Sequence, residues 1–255
     1  MSQMREVSER RLIVTWKNDA SIGILPVAEL IIRVAEPHYR FRYLEGVREA
    51  LRWGFQPFLA FPNAQATYES KALFPFFANR VLPTTRPDYL ESLTAVGLDV
   101  RDASVAEVLG RTNGRRATDQ IETILVPVPD ARGRYLTHFF LRGVNHSPGA
   151  EEHIAKLAPD ELLTLVKDTN NVYNPRARRL LAGDHQLGYV PDYLVNDLDG
   201  LESAAAVPSV FGERVNLPPQ PAHYRLLCRI ECEWPPGFVP FQDPRLAAYG
   251  NREAA

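Results

Sequence analysis

The apolar positions of this chain follow two rhythms. Short apolar runs bounded by Gly, Pro, Asn and Asp recur along its whole length and read as strands. RLIVTW at 11–16 and SIGILPV at 21–27 flank the turn formers Lys17, Asn18, Asp19 and Ala20, and the alternating HYRFRYLEGV follows at 38–47. In the second half the same pattern returns in FFLRGV at 139–144, ELLTLVK at 161–167 and YRLLCRIECEW at 224–234. Helical spacing is rarer. PDYLESLTAVGL at 87–98 predicts a helix opened by Pro87 and Asp88, carrying Leu90, Leu93 and Val96 on one face and stopped by Gly97. DASVAEVLGR at 102–111 predicts another, with Asp102 as its cap and Val105, Val108 and Leu109 together on one side. The turn-rich VPVPDARGRY breaks the pattern around Asp130 to Arg134. The expectation is an α+β chain of two modules, at 1–130 and 134–240, with a partly disordered tail at 241–255. The several prolines between Pro208 and Ala222 predict an irregular crossover before the last strand.

Composition narrows the classes. A chain of 255 residues with 45% apolar residues is long enough for two packed cores. Its formal net charge is −2: residues 1–129 hold 16 basic against 15 acidic side chains, and residues 130–255 hold 13 against 16. Binding along a phosphate backbone needs a basic face, so any nucleic-acid contact here is expected to be local. No run approaches the ~18 apolar residues of a membrane span, and a reducing cytoplasmic setting is expected. Cys228 and Cys232 are the only cysteines. On one strand they stand roughly 13 Å apart, too far for a disulfide. With only His223 nearby they fall short of a zinc set, so buried reduced thiols and neither metal nor cofactor are expected. Neither GxSxG, HExxH nor a phosphate-cradling GxxxxGK[ST] occurs, which points to a non-catalytic chain.

Two resemblances sharpen the picture. Arg142-Gly143-Val144, the turn Asp168-Thr169-Asn170-Asn171-Val172-Tyr173-Asn174, and Leu187-Gly188-Tyr189-Val190-Pro191 resemble the HIRAN domain of some DNA-repair helicases. That resemblance implies a small β-barrel with one helix, near Tyr193 to Leu198, and a site for the end of a single DNA strand. Phe76-Phe77-Ala78-Asn79, Pro83, the helix around Tyr89 to Val96, Leu109-Gly110 and the turn at Asn113-Gly114 resemble the N-terminal subdomain of HipA-type toxin kinases. That second resemblance implies a small mixed sheet with helices over residues 10–128. The kinase core that follows in that family has no room here, so kinase activity is not implied. A regulatory or protein-interaction role in a toxin–antitoxin or phage-defence system, with a kinase or helicase as partner, is the alternative.

The HIRAN resemblance and the residue types together nominate Asn145, His146, Asn171, Tyr173, Asn174, Arg176, Arg178 and Tyr189 as nucleic-acid-binding residues. Asn and Asp brace tight turns with their own side chains, so Asn171 and Asn174 also have a purely structural reading. Tyr173 either stacks on a base or fills the core; a stacked base contributes roughly 1–3 kcal/mol. HIRAN relatives carry an acid where this chain has Asn174, an arginine and a tyrosine where it has Asn145 and His146, and basic residues where it has Asp192. Alternation puts Arg176 and Arg178 on one face, as phosphate ligands or a solvated edge, and Arg179 on the other.

Overall fold

The computed structural model describes residues 9–18, 23–34 and 36–250, which divide into two compact units. The first comprises residues up to 90, 99–126 and those from 242 on; the second comprises 91–98 and 127–241. Asp19 and Ala20 of the first expected turn lie outside the described residues.

The first unit is built on five strands: β1 (Glu9–Lys17), β2 (Ile24–Arg33), β3 (His38–Tyr43), β4 (Thr67–Ser70) and β5 (Ile121–Leu125). Their order is β4-β3-β2-β1-β5 and every pair is antiparallel, so the expected mixed sheet is corrected to an antiparallel one. One face meets α1 (Val47–Arg52), α2 (Pro75–Ala78) and α4 (Val105–Thr112) through a shared apolar core. The run AELIIR, at 28–33, completes β2. Alternation explains the core: Leu12 and Val14 on β1 and Phe41 and Tyr43 on β3 point to one side. Phe41 stacks on Phe61 at 3.8 Å, and the Tyr43 hydroxyl donates to Phe61 O (2.9 Å) while accepting from Phe58 N (2.8 Å). The buried Tyr thus keeps both capacities of its polar handle satisfied.

The helix α3 (Tyr89–Ala95) forms where its periodicity predicts, with Gly97 at φ +67 ending it. The cap of α4 differs from expectation. Asp102 closes a 3-10 turn at Val100–Asp102, and Ser104 accepts the Glu107 N–H instead. Residues 242–250 of the expected tail are bonded to the first unit. Glu45 N donates to Ala247 O (2.8 Å), Tyr249 N to Tyr43 O (3.0 Å) and Arg11 Nη2 to Leu246 O (3.1 Å), so this segment is an integral part of the first unit.

The second unit has six strands: β6 (Arg134–Phe140), β7 (Glu161–Lys167), β8 (Arg178–Ala182), β9 (His185–Tyr189), β10 (Ser209–Val215) and β11 (Leu226–Glu233). They form one antiparallel sheet ordered β6-β11-β10-β7-β8-β9. The expected barrel is not closed: a single bridge, Arg142 to Tyr189, draws its two edges together. β10 occupies the first half of the expected irregular crossover, the expected helix forms as α6 (Val195–Ser203), and a second helix, α5 (Ala150–Ile154), joins it. Both cysteines lie on β11, Cys228 buried and Cys232 half-buried. Among the described residues no cluster of metal-ligating side chains forms, and no helix is long and apolar enough to cross a membrane.

Asp197 on α6 is buried in this unit. Its carboxylate accepts the Phe241 N–H (2.7 Å) and the Tyr135 hydroxyl (3.1 Å). Both bonds favour the charged form, but desolvation outweighs them and pushes the carboxyl up to about 6. A carboxyl raised in the fold holds its proton more tightly there than in the unfolded chain. Its contribution is therefore complete below the ordinary value of 3.8 and is lost as pH rises through about 6. Relative to Asp197→Asn, which keeps an acceptor for Phe241 N, the wild-type chain should lose up to about 3 kcal/mol between these limits. Urea denaturation at stepped pH measures the difference; parallel curves for the two proteins would contradict it.

Candidate nucleic-acid interface

Two loops of the second unit converge on Tyr189. The first leaves β6 through Arg142 and Gly143 and enters a 3-10 turn, Val144–His146, that displays Asn145 and His146 to solvent. Gly143 adopts φ +72, and a Cβ there would touch the Tyr189 ring at 3.4 Å. The second loop is the Asp168–Asn174 turn. Tyr189 reaches it by donating its hydroxyl to Asp168 Oδ2 at 2.9 Å. The same residue bonds the first loop with its backbone, because Arg142 N donates to Tyr189 O (2.9 Å) and Tyr189 N to Arg142 O (2.8 Å). Tyr189 is the common post of both walls.

The Asp168–Asn174 turn is self-braced in the way Asx side chains permit. Asn171 Oδ1 accepts from Tyr173 N (3.0 Å) and Asn174 N (3.1 Å), which fixes the crest and turns Val172 and Tyr173 outward. Those two side chains are 88% and 94% exposed. Of the two readings of Tyr173, core filling is therefore excluded. Asn174 is engaged at both ends: its Oδ1 accepts from Arg176 N (2.9 Å) and its Nδ2 donates to Asp192 Oδ1 (3.0 Å). Asn174 and Asp192 thus contact each other, an amide paired with a carboxylate.

Arg178 is taken out of the expected site by its partners, whereas Arg176 is ion-paired but half-exposed. They do share a face, and that face looks at α6. Arg176 Nε donates to Asp199 Oδ2 (2.8 Å) and its Nη2 to Asn196 Oδ1 (2.8 Å). Arg178 is 2% exposed, bonds Asp199, and stands 3.3 Å from Glu202 Oε2, to which Lys167 Nζ also pairs at 2.8 Å. A guanidinium buried against two carboxylates is not presented to a phosphate. Spacing along the strand did not reveal this, because the acids lie 21 and 24 residues further on, one helical turn apart on α6. The site the structure assembles therefore consists of Asn145 and His146 on one wall, Asn171, Tyr173 and Asn174 on the other, and Tyr189 between.

Neither a family model nor a curated protein matches the chain. Among solved structures, the HIRAN domain of human HLTF aligns at 17% identity over 39% of this chain and 73% of that one, with a TM-score of 0.28. A protein from Lactobacillus plantarum aligns at 13% identity over 39% of this chain and 97% of that one, with a TM-score of 0.32. Likeness at this level does not by itself assign a function.

Arg178→Ala removes a buried side chain and its bonds to Asp199 and Glu202, which keep Arg176 and Lys167 as partners, and should lower unfolding stability by about 1–3 kcal/mol, whereas Arg179→Ala should change it by less than about 1 kcal/mol. Equal, small effects in urea denaturation would show that the Arg178 cluster is not what fixes α6 to β8.

Proposed function

We propose that the second unit is a non-catalytic nucleic-acid-binding module that holds a single strand or a strand end against Tyr173, between the loops that meet at Tyr189. The single observation that carries this reading is Tyr173 itself. A rigid, self-braced turn presents a large aromatic ring to water, and an exposed ring of that kind is a stacking surface for any base. The residues that resemble the HIRAN domain are the ones that build this turn and its opposite wall. Asn145 supplies a neutral amide for sugar or base edges, and His146 supplies a ring that carries a cation when protonated.

The electrostatics set the expected strength. Arg176, Arg178 and Lys167 pair internally, and Asp192 places a carboxylate beside Asn174. Few phosphates are neutralised, so affinity rests on stacking and on neutral hydrogen bonds, and binding is weak with a shallow salt dependence.

Fluorescence anisotropy with short single strands at low salt, with the 3′ hydroxyl free or blocked, tests this directly. Tyr173→Ala should weaken binding by roughly 1–3 kcal/mol, a loss of about fivefold to 150-fold. Asp192→Lys should strengthen it about tenfold and steepen the salt dependence, because it replaces a repelled phosphate with a paired one. Negligible binding of all strands by the wild-type chain and by Asp192→Lys alike would remove the proposal.

A further inference from the structure

The second sheet contains an open slot in its middle. β7 pairs with β10 only over Glu161–Leu163 and with β8 only over Thr164–Lys167. Beyond Leu163, the chain that leads into β10 diverges from β7. Ala205 adopts φ +62, uncommon for a residue with a side chain, and Ala206 N turns back to Leu201 O (3.0 Å) at the end of α6. A cleft of about 670 Å³ fills the gap, lined by residues 162–165 and 205–209 with Glu202.

The backbone facing that cleft can be worked out from the ladder. Asp168 N donates to Ala177 O on the β8 side at 2.9 Å. Main-chain groups alternate sides along a strand, so Val166 and Thr164 also face β8, while Leu165, which lines the cleft, and Lys167, just beyond its lining, turn to the opposite side. Consistently, Arg178, the partner of Lys167, turns its carbonyl away from β7 to accept Val190 N at 2.8 Å. Among the described residues, no hydrogen bond reaches the N–H or C=O of Leu165 or Lys167 from the 205–208 side. Two donors and two acceptors, on the alternate residues Leu165 and Lys167 roughly 7 Å apart, turn to that side.

We infer that this slot accepts an extended segment of another protein, which adds a strand between β7 and the 205–208 segment. An extended polypeptide is the partner whose own donors and acceptors repeat with the same spacing and order. Leu162, 64% exposed, and Val207, 81% exposed, stand on the two walls, so the added strand carries apolar side chains at alternate positions. The slot lies on the β10 side of β7, whereas Tyr189 is on β9 beyond β8, and its test is independent of strand binding.

Amide hydrogen exchange on the full chain, read residue by residue by NMR, tests it. In the free protein the Leu165 and Lys167 amides should exchange about 100-fold faster than those of Thr164 and Val166. A blocked eight-residue peptide of alternating valine and threonine, at millimolar concentration, should slow Leu165 and Lys167 about tenfold or more. A peptide of equal length with proline at every second position should not. Leu165→Pro removes an N–H aimed at the slot and leaves the β8 ladder intact. Val207→Glu charges the opposite wall without touching the strand. Each variant should retain the dispersed spectrum of the fold and lose the peptide effect. Slow exchange of Leu165 and Lys167 in the free, dilute protein would overturn the inference, as would a peptide that leaves their exchange unchanged. Protection that rises with protein concentration alone would overturn it in favour of a second copy of the chain.

Discussion

The candidate site depends on the absence of a side chain at residue 188. A Cβ on Gly188 would lie 2.4 Å from the carbonyl oxygen of Arg142 and 2.9 Å from Leu141 Cγ. Only glycine lets β9 approach the end of β6 closely enough for Arg142 and Tyr189 to exchange their two backbone bonds. That one bridge joins the edges of an otherwise open sheet. It also sets Tyr189 where its ring meets Gly143 and its hydroxyl meets Asp168. Any side chain at 188 would move the Val144–His146 turn away from the Asp168–Asn174 turn, and the two walls would cease to belong to one site.

A second constraint is that the charges of this chain are largely directed inward. Glu29, fully buried, sits 2.5 Å from both Arg11 and Arg42 on the first sheet. Arg80 clamps Asp119 and the Gly114 carbonyl while lying over the Phe76 ring at 4.5 Å. Arg178 does the same for Asp199 and Glu202. Planar guanidinium groups suit such buried, multiply bonded positions better than ammonium groups do. The abundance of arginine in this chain is therefore in good part architectural, and the surface offered to a ligand depends on an aromatic ring and amides.

Local signals were legible in the sequence. The helix at 89–95, the strand containing both cysteines and the braced Asp168–Asn174 turn each follow from residues adjacent in the chain. What escaped depends on residues distant in the chain. The prolines at 208, 218, 219 and 221 suggested irregular structure, yet they bracket β10 and none interrupts it, which leaves its ladder intact. Asp102 was read as the cap of the helix at 105–112, but it closes the 3-10 turn at 100–102 and Ser104 caps the helix. The 242–250 segment is held largely by backbone bonds, which carry no residue signature. In the site itself, residue types suggested an Asn-braced turn, which Asn171 forms, and left Tyr173 open between stacking on a base and filling the core. The engagement of Arg176 and Arg178 could be known only once α6 was placed over β8.

In the proposed function, the loops at 143–146 and 168–174 bind a strand as one surface around Tyr189. Titrating the isotope-labelled full chain with a short oligothymidine bearing a free 3′ hydroxyl, with backbone amides followed by NMR, separates one surface from two. Signals from both loops should move together along one saturable curve, with Tyr173 and Tyr189 among the largest shifts. Shifts confined to one loop, or arising on the strands of the first unit while both loops stay still, would contradict it.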